Sequence, residues 1–270
     1  MISFLEKRSG VTSDGLVLPT QAIVNLIKPN KQTIDLKNYV NEIPVDTGAG
    51  NYILPKNAGD VMLMTEELEV APDQVYAEFF DVSFEIVTYR GKVPVSQEMI
   101  DDNPDVTARL ILANSERQAL NTRNQKIIAK MKTFAAKTVA SVDELKTLIN
   151  KDLGWKYNTK LFLSESAFDY LDHLKDASGR YILNQDINTE SGYSALRREV
   201  VVFADEVFGT AEGDKVGFVG DAEEAIAFFN RKEIQLRWAN SNINGEQINT
   251  VTRFDVQTVD EDAGYYVTFS

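Results

Sequence analysis

The sequence predicts an α+β fold: strands toward both ends of the chain, one long helix, and a lobe in which short helices and strands alternate. Three observations carry this. From Pro104 to Met131 there is no further proline and no glycine, which permits a helix of roughly 40 Å at 1.5 Å rise per residue. Phe80, Val82, Phe84 and Ile86 alternate with Asp81, Ser83 and Glu85, the period of a strand with one buried and one wet face. Between residues 135 and 225, apolar runs and capped helical periods follow one another closely, as in a compact α/β or α+β lobe.

Taken in order, residues 1–18 hold Gly10, Ser13 and Gly15 with little periodicity, and Pro19 follows. They read as an extended arm that gains order only by lying on something else. TQAIVNLIKP offers a short helix capped by Thr20 and stopped by Pro29. Residues 34–54 are strand-like, with a glycine-rich interruption at DTGAG. The acidic, unpatterned stretch KNAGDVMLMTEELEVAPD then separates them from the alternating strand VYAEFFDVSFEIVTYRGKVPVS. An excursion that long is uncommon inside a compact domain and reads as a protruding hairpin or loop.

Asn103 and Pro104 are the N-cap and first turn of the long helix. Val106, Leu110, Ala113, Leu120, Ile127 and Met131 give it a thin apolar stripe, while Asn114 to Lys126 is polar around most of the circumference. Such a helix bridges between parts or between subunits. Beyond it, TFAAKTV is a strand, and Ser141 with Glu144 forms a capping box for SVDELKTLINKDL, which Gly154 ends. TKLFLS is a buried strand, Ser164 opens a helix bearing Phe168, Leu171 and Leu174, and EVVVFADEVF and DKVGFVGD are further strands. The tail, from AIAFFNRKEIQLRWAN to the end, is extended, and its β character predicts pairing with the strands that precede the long helix.

Composition excludes several functions. The chain of 270 residues has no cysteine, hence no disulfide, thiolate metal site or thiol nucleophile, and its single histidine, His173, reads as a surface residue. A formal net charge of −13 argues against general affinity for nucleic acid or anionic membrane and is read as solubility. No apolar run reaches the ~20 residues that cross a bilayer, and MISFLEKRSG lacks the apolar core of a secretory signal, which assigns the chain to the cytosol. No nucleotide-binding, zinc-protease or serine-hydrolase motif is present. GDKVGFVGD reads as a turn and a strand, lacking the lysine and helix start of a phosphate loop, and DEDAG (260–264) as a solvated turn. The pairs Asp101/Asp102, Glu66/Glu67 and Glu223/Glu224 are adjacent residues that do not face each other and make poor acid–base dyads. Arg117, Arg123, Lys126, Lys130 and Lys132 are spread around the long helix as a polar contact surface. No catalytic, cofactor or metal residue emerges. An arm, a long excursion and an exposed helix without an active site make the profile of an assembly subunit.

The order of LPTQAIVNLI, FFDVSFEIVTYRGKVPVSQEMIDDNPDVTARL, KLFLSESAFDYLDHLKDASGRYIL, VVVFADEVF and FFNRKEIQLRW…NTVTRFDVQTVDEDAGYYVTF resembles the major capsid proteins of tailed bacteriophages with the HK97-type fold, over essentially the whole chain. That resemblance implies an N-arm at 1–33 and the start of a peripheral domain at 34–95, with an extended E-loop at about 40–80. It also implies a spine helix at 96–134, an axial domain at 135–228 and C-terminal peripheral strands at 229–270. It implies hexamers and pentamers closing into an icosahedral shell around double-stranded DNA held without sequence-specific contacts. The partners would be a scaffolding protein and a portal, the place of assembly the bacterial cytoplasm, and no enzyme activity, cofactor or membrane would be involved. Two departures stand out. Many members carry a long scaffolding segment before the arm, where only some fifteen residues precede LPTQAIVNLI here, so scaffolding is expected as a separate protein. The best-known member cross-links an E-loop lysine to an asparagine with the help of a glutamate. Lys56 and Asn244 fall in the matching regions, but Val251 stands where the carboxylate belongs, so no cross-link is expected. The alternatives are an encapsulin-type nanocompartment shell, which has the same fold and would carry a cargo groove, and a soluble α/β enzyme or binding protein, which needs a pocket of convergent polar groups.

Overall fold

The structure, a computed structural model, describes residues 34–55, 79–96, 104–174, 179, 181, 183–185, 193–209, 211–241 and 245–270. The expected arm and its helix at 20–29, the tip of the excursion, and the lead into the long helix with Asn103 lie outside the described residues. The strands before the long helix are β1 (Asn41–Pro44), β2 (Ala49–Pro55), β3 (Phe79–Glu85) and β4 (Val87–Ser96). Then come α1 (Pro104–Met131), β5 (Ala136–Val139), α2 (Val142–Thr147), β6 (Lys160–Ser164) and α3 (Glu165–His173). β7 (Leu183–Gln185), β8 (Tyr193–Ala195), β9 (Arg198–Phe203), α4 (Asp205–Phe208) and β10 (Val216–Gly220) follow. The chain ends with α5 (Ala222–Ala225), β11 (Ile226–Ser241), β12 (Gly245–Thr258) and β13 (Gly264–Phe269). It divides into two units: residues 87–124 and 232–254 belong, with the chain up to Asp35, to the first, and 36–86, 125–231 and 255–270 to the second.

In the first unit β12 pairs antiparallel with β4, from Gly245 opposite Ser96 to Phe254 opposite Val87. This is the pairing expected between the tail and the strands before the long helix. Phe254 is buried and stacks on Tyr89 with ring centroids 4.6 Å apart. The helix α1 starts at Pro104 and ends at Met131, where the proline and the break in period place its ends. Its middle is polar, as expected, but not exposed all round: Ser115, Ala119 and Asn124 are buried. Gly91 on β4 leaves room for Gln118 of the helix, since a Cβ at Gly91 would lie 2.7 Å from Gln118 Oε1. Ser115 Oγ is buried there without a hydrogen-bond partner among the described residues, whereas Asn124 and Arg123 face inward and bond. Asn124 Nδ2 donates to the Ile34 carbonyl at 2.7 Å, and Arg123 pairs with Asp35 at 2.7 Å.

In the second unit the core is apolar. Ile127, Ile128 and Met131 on the last turns of α1 are buried. A seven-stranded sheet runs β5-β13-β10-β6-β9-β8-β7. All five residues of β10 are buried, as are Leu161, Phe162 and Leu163 on β6, so these central strands read as unbroken apolar runs covered on both faces. A satellite core forms where β1 lies parallel to β11, from Asn41 opposite Ala227 to Pro44 opposite Asn230. Val82, Phe84 and Ile86 pack there against Ile43, Ala227 and Phe229. Asp81, Ser83 and Glu85 stay exposed, as the alternation predicts.

Four expectations need correction. The last strand, β13, does not join the peripheral strands: it pairs with β10 and β5 in the seven-stranded sheet, because its inward residues Val267 and Phe269 are buried there. ADEVF does not prolong β9; the chain turns into α4 after Phe203 because Asp205 is drawn inward by hydrogen bonds. DEDAG is a 3₁₀ turn at 261–263, but Asp260 is buried rather than solvated. Finally, the basic residues at the end of α1 serve the fold rather than a contact surface. Lys130 donates to Gln257 Oε1 at 3.0 Å, and Lys132 donates to the Gly209 carbonyl at 2.9 Å, a cation at the C-terminal end of α4.

Candidate functional site

The residues singled out for chemistry do not converge. Lys56 and Asn244 lie outside the described residues. Val251 sits within β12 opposite Arg90, a ladder position with no carboxylate. His173 is exposed at the end of α3, with Nδ1 2.8 Å from the Asp169 carbonyl. That bond, and the Asp169 carboxylate, raise its pKa. Among the described residues no group of three or more His, Asp or Glu is placed to hold a metal ion. Of the described carboxylate pairs, Glu223 and Glu224 are both exposed on the short α5.

What the structure does bring together is a set of carboxylates that anchor the two ends of the seven-stranded sheet. At one end Asp205 accepts from Ser166 N at 2.9 Å, Ser166 Oγ at 2.5 Å and Gly213 N at 3.0 Å. Burial is the largest single influence on this carboxyl and would raise it. The bonds from Ser166, Gly213 and Ser164 together outweigh burial and hold it below the usual carboxylate range. At the other end Asp221 caps α5 through the N–H groups of Glu223 and Glu224 and accepts from Asn158 N at 2.8 Å. Close by, Asp260 accepts from Tyr157 Oη at 2.8 Å and Asp262 N at 3.0 Å. Burial, then the bond and charge of Asp260, push the Tyr157 hydroxyl well above its ordinary range. Glu224 is raised too, by burial first and then by Asp221, Glu223 and Asp260, with Lys156 pulling the other way. These groups are structural anchors whose negative charge is crowded on one edge.

Among the described residues with exposed apolar side chains, two places stand out. The antiparallel ribbon β2–β3 buries one face, where Phe84 stacks on Phe229 at 4.6 Å, and exposes Ile53 and Phe79 on the other. These side chains lie at its outer end, beside the excursion the sequence marks as protruding. The second surface is Trp155, 90 % exposed on a 3₁₀ turn, with the Arg198 guanidinium 5.9 Å from its ring centroid. Next to it, Leu196 and Arg197 form the β8–β9 turn at φ 52° and 63°, positions where asparagine and glycine are the comfortable residues. Sequence reasoning passed over both features, since nothing in the string separates an outward tryptophan from a core one.

The fold compares closely with solved shells. The capsid of an empty GTA particle matches with a TM-score of 0.67 at 13% identity, over 96% of this chain and 100% of that one. Mycobacterium phage Bobi matches at 0.62 and 15%, over 98% of each chain. A virus-like particle from Pyrococcus furiosus matches at 0.55 and 10%, over 92% of this chain and 95% of that one. Among curated proteins none matches. The architecture is therefore the HK97-type shell fold. The chain belongs to the phage capsid family, whose family model covers residues 14–269. It is a structural subunit of a capsid, and so a self-associating component of a virion.

Proposed function

We propose that this subunit assembles as hexamers and pentamers into an icosahedral shell enclosing a phage double-stranded DNA genome, and that it has no enzymatic activity of its own. The observation that carries the reading is the family match along 14–269, almost the whole chain, and the exposed Ile53 and Phe79 suit a surface that meets a neighbour. In this layout residues 1–33 are the N-arm and about 40–80 the E-loop, of which β2–β3 forms the base. Strand β4, α1 and the β11–β12 pair supply the peripheral domain, and the seven-stranded sheet, β13 included, is the axial domain. A net charge of −13 suits a shell that packages DNA and later releases it without gripping it. Assembly takes place in the bacterial cytoplasm with a scaffolding protein and a portal as partners. No isopeptide forms between Lys56 and Asn244, because the lysine needs a carboxylate to deprotonate it and Val251 provides none.

The test is negative-stain electron microscopy with light scattering on the purified full chain, expressed with and without the scaffolding protein of its phage. Capsomer rings, tubes or closed shells support the reading, whereas a chain that stays monomeric at every salt and protein concentration defeats it. Shells that close unaided around protein cargo would favour a nanocompartment instead. A boiled denaturing gel of assembled shells is expected to run as monomer, and a ladder would show that a cross-link does form.

A further inference from the structure

Trp155 is exposed but not loose. Its turn, Gly154–Lys156, follows directly on a helical turn that buries Leu148, Ile149 and Leu153, so the indole is held outward from an anchored backbone. The Arg198 guanidinium lies over its ring, and Arg197 is exposed on the positive-φ turn beside it. Neither arginine forms an ion pair among the described residues, although Glu199, the next residue, is paired with Lys160 at 3.2 Å. On its other side the tryptophan adjoins acid: Tyr157 and Asn158 bind Asp260 and Asp221, and the charge of Lys156 acts on Glu224. The β2–β3 ribbon shows the complementary chemistry. Its outward face presents Ile53 and Phe79 with Asp81 and Glu85, all exposed, and neither strand contains a lysine or arginine. Asp81 lies opposite Ile53 in the ladder and two residues from Phe79, so the three are neighbours on one face. Since Ile53, Phe79 and Trp155 are all exposed, within one chain neither surface covers the other.

We propose that this outward face of the ribbon seats on Trp155 of a second copy of the chain, with Ile53 and Phe79 against the indole and Asp81 against Arg197 and Arg198. The inference rests on the ring assembly proposed above and names the side chains that receive the ribbon. Three large apolar side chains leave water together, and tryptophan and arginine are the residues that most often dominate an interface once buried. The cation stacked on the indole strengthens as water leaves it. Among the described residues the Asp81 carboxylate has one partner, Asn51 Nδ2 at 3.5 Å, a long bond that an arginine replaces with a stronger one. The acidic edge beyond Tyr157 sets the direction: it repels Asp81 and Glu85 and steers the ribbon to the arginine side of the tryptophan. Ribbon and seat are different surfaces, so each copy covers one neighbour and is covered by another, the arrangement that closes a ring. Nucleic acid also suits a tryptophan flanked by arginines, but phosphate would meet the same acidic edge and leaves Ile53 and Phe79 exposed.

The chain has no cysteine, so cysteines can be placed in it without background. Full-length Ile53→Cys, Trp155→Cys and the double variant are assembled beside wild type, oxidised mildly and run on a non-reducing gel, with light scattering to read assembly. The disulfide traps the contact even where the substitutions weaken it. The two single variants mixed should give a covalent dimer and the double variant a ladder of longer chains, while each single variant alone runs as monomer. Cross-linking of Trp155→Cys with itself, an intrachain disulfide in the double variant, or no covalent dimer from particles that do assemble overturns the inference and leaves the shell reading standing. Charge reversal gives a second measurement that needs no disulfide. Asp81→Arg and Arg198→Asp are each expected to raise the concentration needed for assembly about tenfold or more, and the combined Asp81→Arg/Arg198→Asp chain to bring it back, with circular dichroism confirming each fold. A folded Asp81→Arg chain that assembles like wild type, or a combined chain that restores nothing, also overturns the inference. So does loss of packaged DNA with assembly unchanged in Arg198→Asp, which assigns the seat to nucleic acid. A wild-type chain that never assembles overturns the shell reading itself.

Discussion

Gly264 offers the most direct test of the packing, because its backbone is extended (φ −170°) and needs no special freedom. Space is the reason for the glycine. A Cβ there would lie 2.2 Å from Phe218 Cζ and 2.6 Å from Cε2, more than an ångström inside ordinary contact. The ring cannot step aside easily: Phe218 is fully buried, with Phe134 edge-on at 5.1 Å and Phe162 at 6.0 Å. Gly264→Ala should therefore reach the upper end of the overpacking range, about 3 kcal/mol. For a chain of this size that corresponds to a fall of about 6–12 °C in Tm. Phe218→Ala alone should cost about 3–5 kcal/mol through its cavity. In the double variant the new methyl group occupies that cavity, so the two losses should fall short of additivity by about 2 kcal/mol. Thermal and urea unfolding of all four chains closes the cycle. Additive losses, or a Gly264→Ala chain melting within a degree of wild type, would refute the reasoning.

The two ends of the seven-stranded sheet should respond to pH with opposite signs. The folded state holds Asp205 below the usual carboxylate range, so the stability from this group is present above about pH 4 and is lost as pH falls through its folded value. Asp205→Asn should accordingly be less stable than wild type at pH 7, with the gap narrowing below pH 4; a gap independent of pH removes the argument. Glu224 is raised, so its contribution is present below about pH 4 and lost as pH rises through the folded value. Glu224→Gln should stabilise the chain at pH 7 and not at pH 3.5, and a destabilised Glu224→Gln chain at neutral pH contradicts this. In the first unit, Asn124→Ala removes the bond to the Ile34 carbonyl at a cost of about 1 kcal/mol. Limited proteolysis should then cut faster next to residue 34, and an unchanged rate would show that the bond does not hold that segment.

Much of the fold was legible because it rests on period and punctuation. Pro104 opens the long helix, the alternation from Phe80 to Ile86 buries the expected side chains, and Ser141 and Ser164 cap the helices they precede. Even there the details shifted. Glu144 reaches back to the N–H of Ala140, one residue before the cap, at 2.8 Å. What could not be read was tertiary. Strand β13 reads as extended wherever it pairs, and the string does not show that Val267 and Phe269 are buried beside β10 and β5. The long helix looked polar because its buried face uses Ser115, Ala119 and Asn124, residues whose inward role depends on how closely the backbone approaches. Exposure and backbone strain were least legible, since Trp155 and the Leu196–Arg197 turn are ordinary letters until exposure and φ are known.

The net charge of −13 also changes meaning once the carboxylates are placed. Read as composition, it is solubility. In the fold, Glu144 accepts from Ala140 N, Asp221 from three N–H groups, Asp260 from Asp262 N and the Tyr157 hydroxyl, and Asp205 from Ser166 and Gly213. These groups use their charge to bind backbone donors at helix starts and turns, where a lysine or a neutral side chain would do less. Charge used this way cannot be removed to tune the surface without loosening the ends of the sheet. Glu223, Glu224 and Asp262 are different. They sit outside the anchors, exposed, and among the described residues their carboxylates hold no backbone donor.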